Sequence, residues 1–291
     1  MTARTAETRR VTLALVMTSI YFVVEVAGGL WTNSLALLSD AGHMFSDMAA
    51  LGLSLFALRM ATRPVTARWT FGYHRLEILA ALVNGLSLWL IVGAIFHAAY
   101  GRLFDPPPVY GKGMLVVASI GLLVNLGVGA ILYGFTRTSL SIRGAFLHVL
   151  SDALGSLGAI AAGVIMIFTG WALADPLISV FIGLLILYSS WALMRESINI
   201  LMQSVPEGID LEEVRAAMMR VRGVMKVHDL HVWAVTSGLS TLSAHAVVHA
   251  EENSEQVLDG MERVLKERFL IEHTTIQLEV QDRTEKEFRD F

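Results

Sequence analysis

The sequence predicts an α-helical membrane protein in which six transmembrane helices precede a small α+β domain. Three observations support this fold class. Hydrophobic residues make up 54% of the chain and charged residues only 16%, against about 25% charged in an ordinary soluble domain. Six apolar segments each approach the roughly 20 residues that a helix needs to cross a bilayer. After residue 205 the sequence changes to mixed polar and apolar patterns that are typical of a soluble fold.

The six apolar segments follow one another over the first two thirds of the chain. Their predicted bounds are Val11–Leu30, Leu35–Leu58, Ile78–Tyr100, Met114–Phe135, Ala145–Phe168 and Pro176–Met194. The polar start of the chain and the lack of a small-residue cleavage pattern indicate that the first segment is a retained span, not a signal peptide. Arginines are concentrated in alternate loops, so the positive-inside rule predicts that both termini are cytoplasmic. We expect the host membrane to be the cell (inner) membrane.

The region after residue 205 predicts the element order αββαβ. Asp210 followed by Glu213 is typical of a helix N-cap with a reciprocal acid. Two β-rich runs on either side of Thr236-Ser-Gly238 predict a hairpin, and the alternation in Thr274–Val280 predicts a last strand with one buried face. The chain is therefore expected to divide into a transmembrane domain (1–205) and a cytoplasmic domain (206–291). Nothing in its charge pattern predicts a nucleic-acid-binding face.

The pattern His-x-x-x-Asp occurs twice, once in the second and once in the fifth apolar segment. The two pairs are His43 with Asp47 and His148 with Asp152. Residues four apart lie on the same face of a helix, one turn above the other. Ionisable groups are costly in a bilayer, so two matched pairs there indicate function rather than packing. Asp40 shares the face of the first pair and is a pathway candidate, with helix capping or water contact as the alternative.

The chemistry of the two pairs favours a divalent metal ion. Two imidazoles and two carboxylates form a closed four-ligand set that suits tetrahedral Zn²⁺, although the same donors also suit Cd²⁺ and Co²⁺. The chain has no cysteine, so thiolate sites are excluded. Histidine binds metal only when it is neutral, so protons and metal compete for the same ligands. A site that opened to each side in turn would exchange metal for protons. Glu25, in the first segment, is a further pathway candidate.

Three stretches of the sequence carry a resemblance to a known family. The run from Ser34 to Asp47, SLALLSDAGHMFSD, resembles the second transmembrane helix of the cation diffusion facilitator family, in its zinc-type branch. The pair His148 and Asp152 is similar to the fifth helix of that family, and Thr70–Glu77 is similar to the start of its third helix. The resemblance covers nearly the whole chain, but this chain lacks the His-rich segments that many relatives carry.

The resemblance implies a homodimeric antiporter that exports zinc from the cytoplasm in exchange for protons, with the four motif residues as the transport site. It also implies a ferredoxin-like, metal-responsive tail that binds regulatory Zn²⁺. The tail positions that match the family pattern are His228, His245, His273 and Glu279. His245 and Glu279 have the strand parity opposite to the apolar positions, so they can face outward together. Because side chains alternate between the two faces of a strand, His228 is expected on the buried face, unless a bulge shifts the alternation.

Two other classes of function are weighed against export. An intramembrane metalloenzyme would need three protein ligands, an open fourth position and a general base. The chain has no His-Glu-x-x-His motif, so we expect that it is not an enzyme. A membrane metal sensor or receptor, whose tail binds metal without transport, is the alternative to the exporter. Accumulation of zinc in vesicles, as opposed to binding alone, separates the two.

Overall fold

A computed structural model describes the backbone of residues 3–133 and 140–282. Within those ranges the first two thirds of the chain form six long helices, each long and apolar enough to cross a membrane. They are α1 (Ala3–Thr32), α2 (Leu35–Ala61), α3 (Arg75–Phe104), α4 (Gly111–Tyr133), α5 (Leu140–Thr169) and α6 (Ala174–Leu201). The prediction of six transmembrane helices is confirmed. Five of the helices extend beyond their predicted apolar segments, and α4 begins three residues before its segment and is described as far as Tyr133.

The described residues fall into two compact units. One contains Met1–Gly52 and Val83–Ala192, and the other contains Leu53–Leu82 and Leu193–Phe291. The helices α2, α3 and α6 each run across the boundary, so each contributes residues to both units. The predicted domain division at residue 205 stays a prediction, and the two units are described separately below.

In the first unit, the start of α2 is held by a buried carboxylate on another helix. Asp175, at the start of α6, accepts hydrogen bonds from the Ser34 hydroxyl at 2.6 Å and from the Leu35 amide at 2.8 Å. Arg102 on α3 pairs with the same carboxylate at 3.2 Å. The first amide groups of a helix have no partner within it, so an acid from outside satisfies them and complements the helix dipole. This contact fixes where α2 begins, and hence the rotation of its polar face.

The second unit contains the α+β fold predicted for the tail. Its elements are α7 (Leu211–Met219), β1 (Val224–Thr236), β2 (Leu239–Val248), α8 (Ser254–Phe269) and β3 (His273–Glu279). The sheet order is β1-β2-β3, with β2 antiparallel to β1 and parallel to β3. The predicted N-cap is present, since the Asp210 carboxylate accepts from the amides of Glu212 and Glu213. The order αββαβ is confirmed.

A bulge in β1 decides which way its histidines face. The register pairs His228 with His245 but His231 with Ser243, so three steps along β1 correspond to two along β2. Asp229 inside this bulge has φ +47°, a left-handed conformation that Asp tolerates better than most residues. A bulge of one residue reverses the alternation of faces. Val227 therefore takes the core position, and His228 joins His245 on the opposite face of the sheet.

Candidate metal centres

Three of the four residues predicted for the transport site lie together between α2 and α5. His43 Nε2 is 3.6 Å from Asp47 Oδ2, one turn further along α2. The same nitrogen is 3.8 Å from Asp152 Oδ1 on α5. Donor atoms that share a tetrahedral Zn²⁺, with bonds of about 2.0–2.1 Å, lie about 3.3 Å apart. Each of the two separations from His43 is therefore within about 0.5 Å of the value for two ligands of one small ion.

The fourth predicted residue, His148, lies on α5 one turn before Asp152. Its side chain falls outside the described residues. The backbone spacing of four still puts its position on the same helical face as Asp152. The role of His148 as a ligand stays a prediction.

The cluster of His43, Asp47 and Asp152 is half-enclosed, with one member open to its surroundings. The side chains of His43 and Asp152 are 13% and 8% exposed, whereas that of Asp47 is 30% exposed. Interhelical hydrogen bonds hold the helices around it. Ser46 Oγ donates to Asn84 Oδ1 on α3 at 2.9 Å. Such polar contacts fix the rotation of a helix in a membrane, as expected for a site that needs its donors aimed at one point.

The pathway candidates Asp40 and Glu25 are both buried beside this cluster. Asp40 is 5% exposed and Glu25 is 1% exposed. A Cβ at Gly155, on α5, would lie 3.4 Å from Asp40 Oδ1, so the Asp40 carboxylate lies at van der Waals distance from α5 at this position. The Tyr21 hydroxyl donates to Glu25 Oε1 at 2.8 Å. The burial of these two acids favours a role inside the protein over contact with water at a helix end.

In the tail, His228, His245 and Glu279 form a compact cluster. One possible ligand atom from each lies within 4.8 Å of the others. Glu279 faces both imidazoles, with Oε2 at 3.4 Å from His228 Nε2 and Oε1 at 3.6 Å from His245 Nδ1. The side chains of His228 and Glu279 are only 7% and 3% exposed. Two imidazoles and a carboxylate are a donor set that suits Zn²⁺.

His273, the fourth residue predicted for the tail site, is not part of this cluster. It opens β3, six residues before Glu279, which is about 20 Å along a strand. Its ring packs edge-on against Phe71 at 5.5 Å between centroids. It shares a sheet face with Glu279 because both have the same strand parity. The sequence alone could not exclude His273 from the cluster. Strand parity gives the face of the sheet on which a residue lies, but not how far along the strand it is from the other ligands.

Sequence reasoning missed Asp229. Its Oδ2 lies 3.8 Å from His245 Nε2, and its Oδ1 lies 2.9 Å from His231 Nε2. The clue in the sequence was the polar pair His228-Asp229, which interrupts the alternation of β1. Asp229 brings a second carboxylate to the edge of the tail cluster.

Six membrane-crossing helices, a histidine–carboxylate cluster at membrane depth and a small α+β domain define an integral membrane transporter of cations. The family model for the cation efflux transmembrane domain matches residues 11–202. The model for the cytoplasmic domain of cation efflux proteins matches residues 206–281. The chain belongs to the cation diffusion facilitator family, which is a family of transporters and not of enzymes.

Relatives of known name match over almost the full chain. The metal cation efflux system protein CzcD of Cupriavidus metallidurans is 44% identical over 94% of this chain and 86% of its own length. The cadmium, cobalt and zinc/H(+)-K(+) antiporter of Bacillus subtilis is 44% identical over 92% of this chain and 88% of its own. The zinc transporter ZitB of Escherichia coli is 42% identical over 94% and 88%, respectively. The solved metal-bound C-terminal domain of the CzcD transporter covers 25% of this chain and 100% of its own, at 41% identity and a TM-score of 0.24.

Proposed function

We propose that this protein exports divalent cations, mainly Zn²⁺ and also Cd²⁺ or Co²⁺, from the cytoplasm in exchange for protons. One observation carries the proposal. The His43 imidazole lies within 4 Å of carboxylates on two different helices, Asp47 on α2 and Asp152 on α5. A cation bound there contacts both helices at once, so binding and release can change how the helices pack. The names of the relatives, a zinc transporter and a cadmium, cobalt and zinc antiporter, support the choice of cargo.

The exchange of metal for protons follows from the ligand chemistry. A neutral imidazole and ionised carboxylates bind the cation, and an imidazole in water takes up a proton near pH 6.5. On the side with more protons, protonation of the ligands weakens the site and releases the cargo. On the cytoplasmic side, the arriving cation displaces those protons. The two carboxylates offset the charge of the ion at membrane depth, where an uncompensated charge is costly.

We further propose that the protein is a homodimer in the cell (inner) membrane with both termini in the cytoplasm. The excess of arginine in alternate loops supports this orientation. The match of residues 206–281 to the cytoplasmic-domain model, designated ZT_dimer, supports the dimer. In this arrangement the cluster of His228, His245 and Glu279 binds regulatory Zn²⁺. Metal held there reports the cytoplasmic zinc level to the transport unit.

Reconstituted protein with a pH-sensitive dye inside the vesicles tests the exchange. A zinc gradient is expected to drive proton movement in the opposite direction with the native chain, and to drive none with Asp47→Ala or Asp152→Ala. Asp105→Ala, in an exposed loop, is the matched control and should keep native activity. Zinc-driven proton movement that survived both site substitutions would show that the site is wrongly assigned. Saturable zinc binding without accumulation would favour the sensor alternative.

A further inference from the structure

Glu25 is a buried acid on a membrane-spanning helix, and none of the basic side chains that the structure describes pairs with it. It lies on α1 and is 1% exposed. Its Oε1 accepts the Tyr21 hydroxyl, while its Oε2 receives no hydrogen bond from any described residue. Burying an ionised carboxylate in an apolar setting is costly, so such groups are kept for function or hold a proton.

The charged groups near Glu25, among the residues that the structure describes, are acidic. On α2 the Asp40 carboxyl lies beside it, close enough for the two to share a proton, and on α5 Asp152 adds a further negative charge. The helix α4 contributes a backbone carbonyl, at Val117, that also lies 3.5 Å from the Tyr21 hydroxyl. Among the residues that the structure describes, no Lys, Arg or His forms an ion pair with Glu25. Two carboxyl groups in one buried place cannot both ionise readily, and one proton between them relieves the repulsion.

The packing around this acid is specific. Tyr21 is 2% exposed, and its hydroxyl occupies the space that a side chain at Gly121 on α4 would need. Asp40 in turn lies against Gly155 on α5. The glycine on α4 thus makes room for the tyrosine that donates to Glu25, and the glycine on α5 lies against the neighbouring aspartate. The arrangement is a built pocket that draws on four helices.

We propose that Glu25, with Asp40, is a proton-binding site separate from the four cation ligands, and that it gives up its proton when the cation reaches them. This inference rests on the proposed cation–proton exchange. When a doubly charged ion arrives beside Asp152, its field stabilises a neighbouring anion strongly in this low-dielectric setting. The O–H bond of the Glu25 carboxyl then breaks, the proton leaves to water on the open side, and the carboxylate remains. When the cation leaves, the carboxylate takes up a proton again.

Zinc titration calorimetry of the full chain, over a range of pH, tests the proposal with Glu25→Gln. Each linked proton steepens the rise of log zinc affinity with pH by about one. The Glu25→Gln variant is expected to release about one proton fewer on binding zinc. Its plot of log zinc affinity against pH should therefore meet the native plot at low pH and fall below it at high pH. A purely structural role would instead lower the affinity by the same factor at every pH. Glu196→Gln, an exposed acid on α6, is the matched control and should follow the native curve.

Tyr21→Phe provides a second variant that keeps the acid. Without the hydroxyl the Glu25 anion loses the one donor that the described residues give it, so the midpoint of proton release should move up by about one pH unit. Parallel curves for Glu25→Gln, or an unmoved midpoint for Tyr21→Phe, would overturn the proposal. A native protein that released no proton on binding zinc would instead overturn the proposed exchange itself. The tail contributes equally to native and variant curves, so it cancels from the comparison.

Discussion

The two histidine–carboxylate clusters use the same donor groups in different surroundings. In the membrane, His43 faces Asp47 and Asp152 at 3.6 and 3.8 Å, and one of these acids is 30% exposed. In the tail, Glu279 bridges His228 and His245 at 3.4 and 3.6 Å, and it is 3% exposed. Each cluster therefore has one partly exposed member through which an ion can enter and leave. In the membrane it is an acid, whereas in the tail it is the His245 imidazole, which is 26% exposed.

The two clusters also differ in how the chain builds them. The membrane pairs arise from a spacing of four on single helices, which is a local property. The tail cluster joins three strands and depends on a bulge at Asp229. A local pattern tolerates changes elsewhere in the fold, whereas a cross-strand cluster depends on register. The tail cluster should therefore be lost through changes to the backbone as well as through changes to its ligands.

The largest effect is expected from His148→Ala, which tests whether the membrane cluster has the fourth ligand that the tail cluster lacks. Loss of a group that hydrogen-bonds to a metal ligand lowers metal affinity by about 10–100-fold. Loss of the ligand itself should lower the affinity by more. Zinc uptake into vesicles should therefore fall by about 100-fold or more. His97→Ala, an exposed histidine on α3, is the control. Native uptake by the His148 variant would leave the membrane cluster with three ligands, like the tail.

Asp229→Val should abolish the tail cluster without changing its three ligands. A β-branched residue disfavours the left-handed φ of +47° that the bulge requires. With the bulge lost, β1 returns to simple alternation, so His228 turns into the core and Val227 leaves it. Burial of an unsatisfied imidazole and loss of the valine should destabilise the tail by about 3 kcal/mol or more. Hydrogen exchange of β1 and zinc titration measure the two effects. Intact tail binding in the Asp229→Val variant would mean that the bulge does not set the orientation of His228.

A smaller effect is expected from Glu279→Gln, which tests whether the tail cluster regulates transport while the membrane cluster carries the cation. The tail should lose at least about tenfold in zinc affinity, since even outer-shell partners cost that much. The zinc concentration that activates transport should rise, while the stoichiometry at the transport site stays native. Glu272→Gln, whose carboxylate pairs with Lys266 at the surface, is the matched control. If the Glu279→Gln variant lost transport at saturating zinc, the two clusters would not act independently.

The smallest effect is expected from His273→Ala. The structure gives His273 an aromatic contact with Phe71 and no contact with the tail cluster. The substitution should cost about 1 kcal/mol of stability from the lost ring contact and leave tail zinc affinity native. Calorimetry of zinc binding and thermal unfolding measure the two quantities. A tenfold loss of tail affinity would return His273 to the ligand set that the sequence predicted.

Much of the fold followed from local patterns. The six transmembrane helices were predictable because a span of apolar residues has one stable form in a bilayer. The order αββαβ was predictable from caps, alternation and the turn at Gly238. The N-cap at Asp210 and the hairpin depend on neighbouring residues only. The contact of Asp175 with the start of α2 joins residues that are 140 positions apart, so no pattern of neighbouring residues predicts it.

By itself, the sequence determined the helical pairs His43–Asp47 and His148–Asp152, because the period of a helix is fixed by its own hydrogen bonds. Tertiary structure alone decided that Asp152 meets His43, that Asp40 lies beside Glu25, and that His228 turns toward Glu279. Helix packing and strand register decide those meetings, and both depend on residues far apart in the chain. For the same reason strand parity could not separate His273 from Glu279, whereas the register of β3 did.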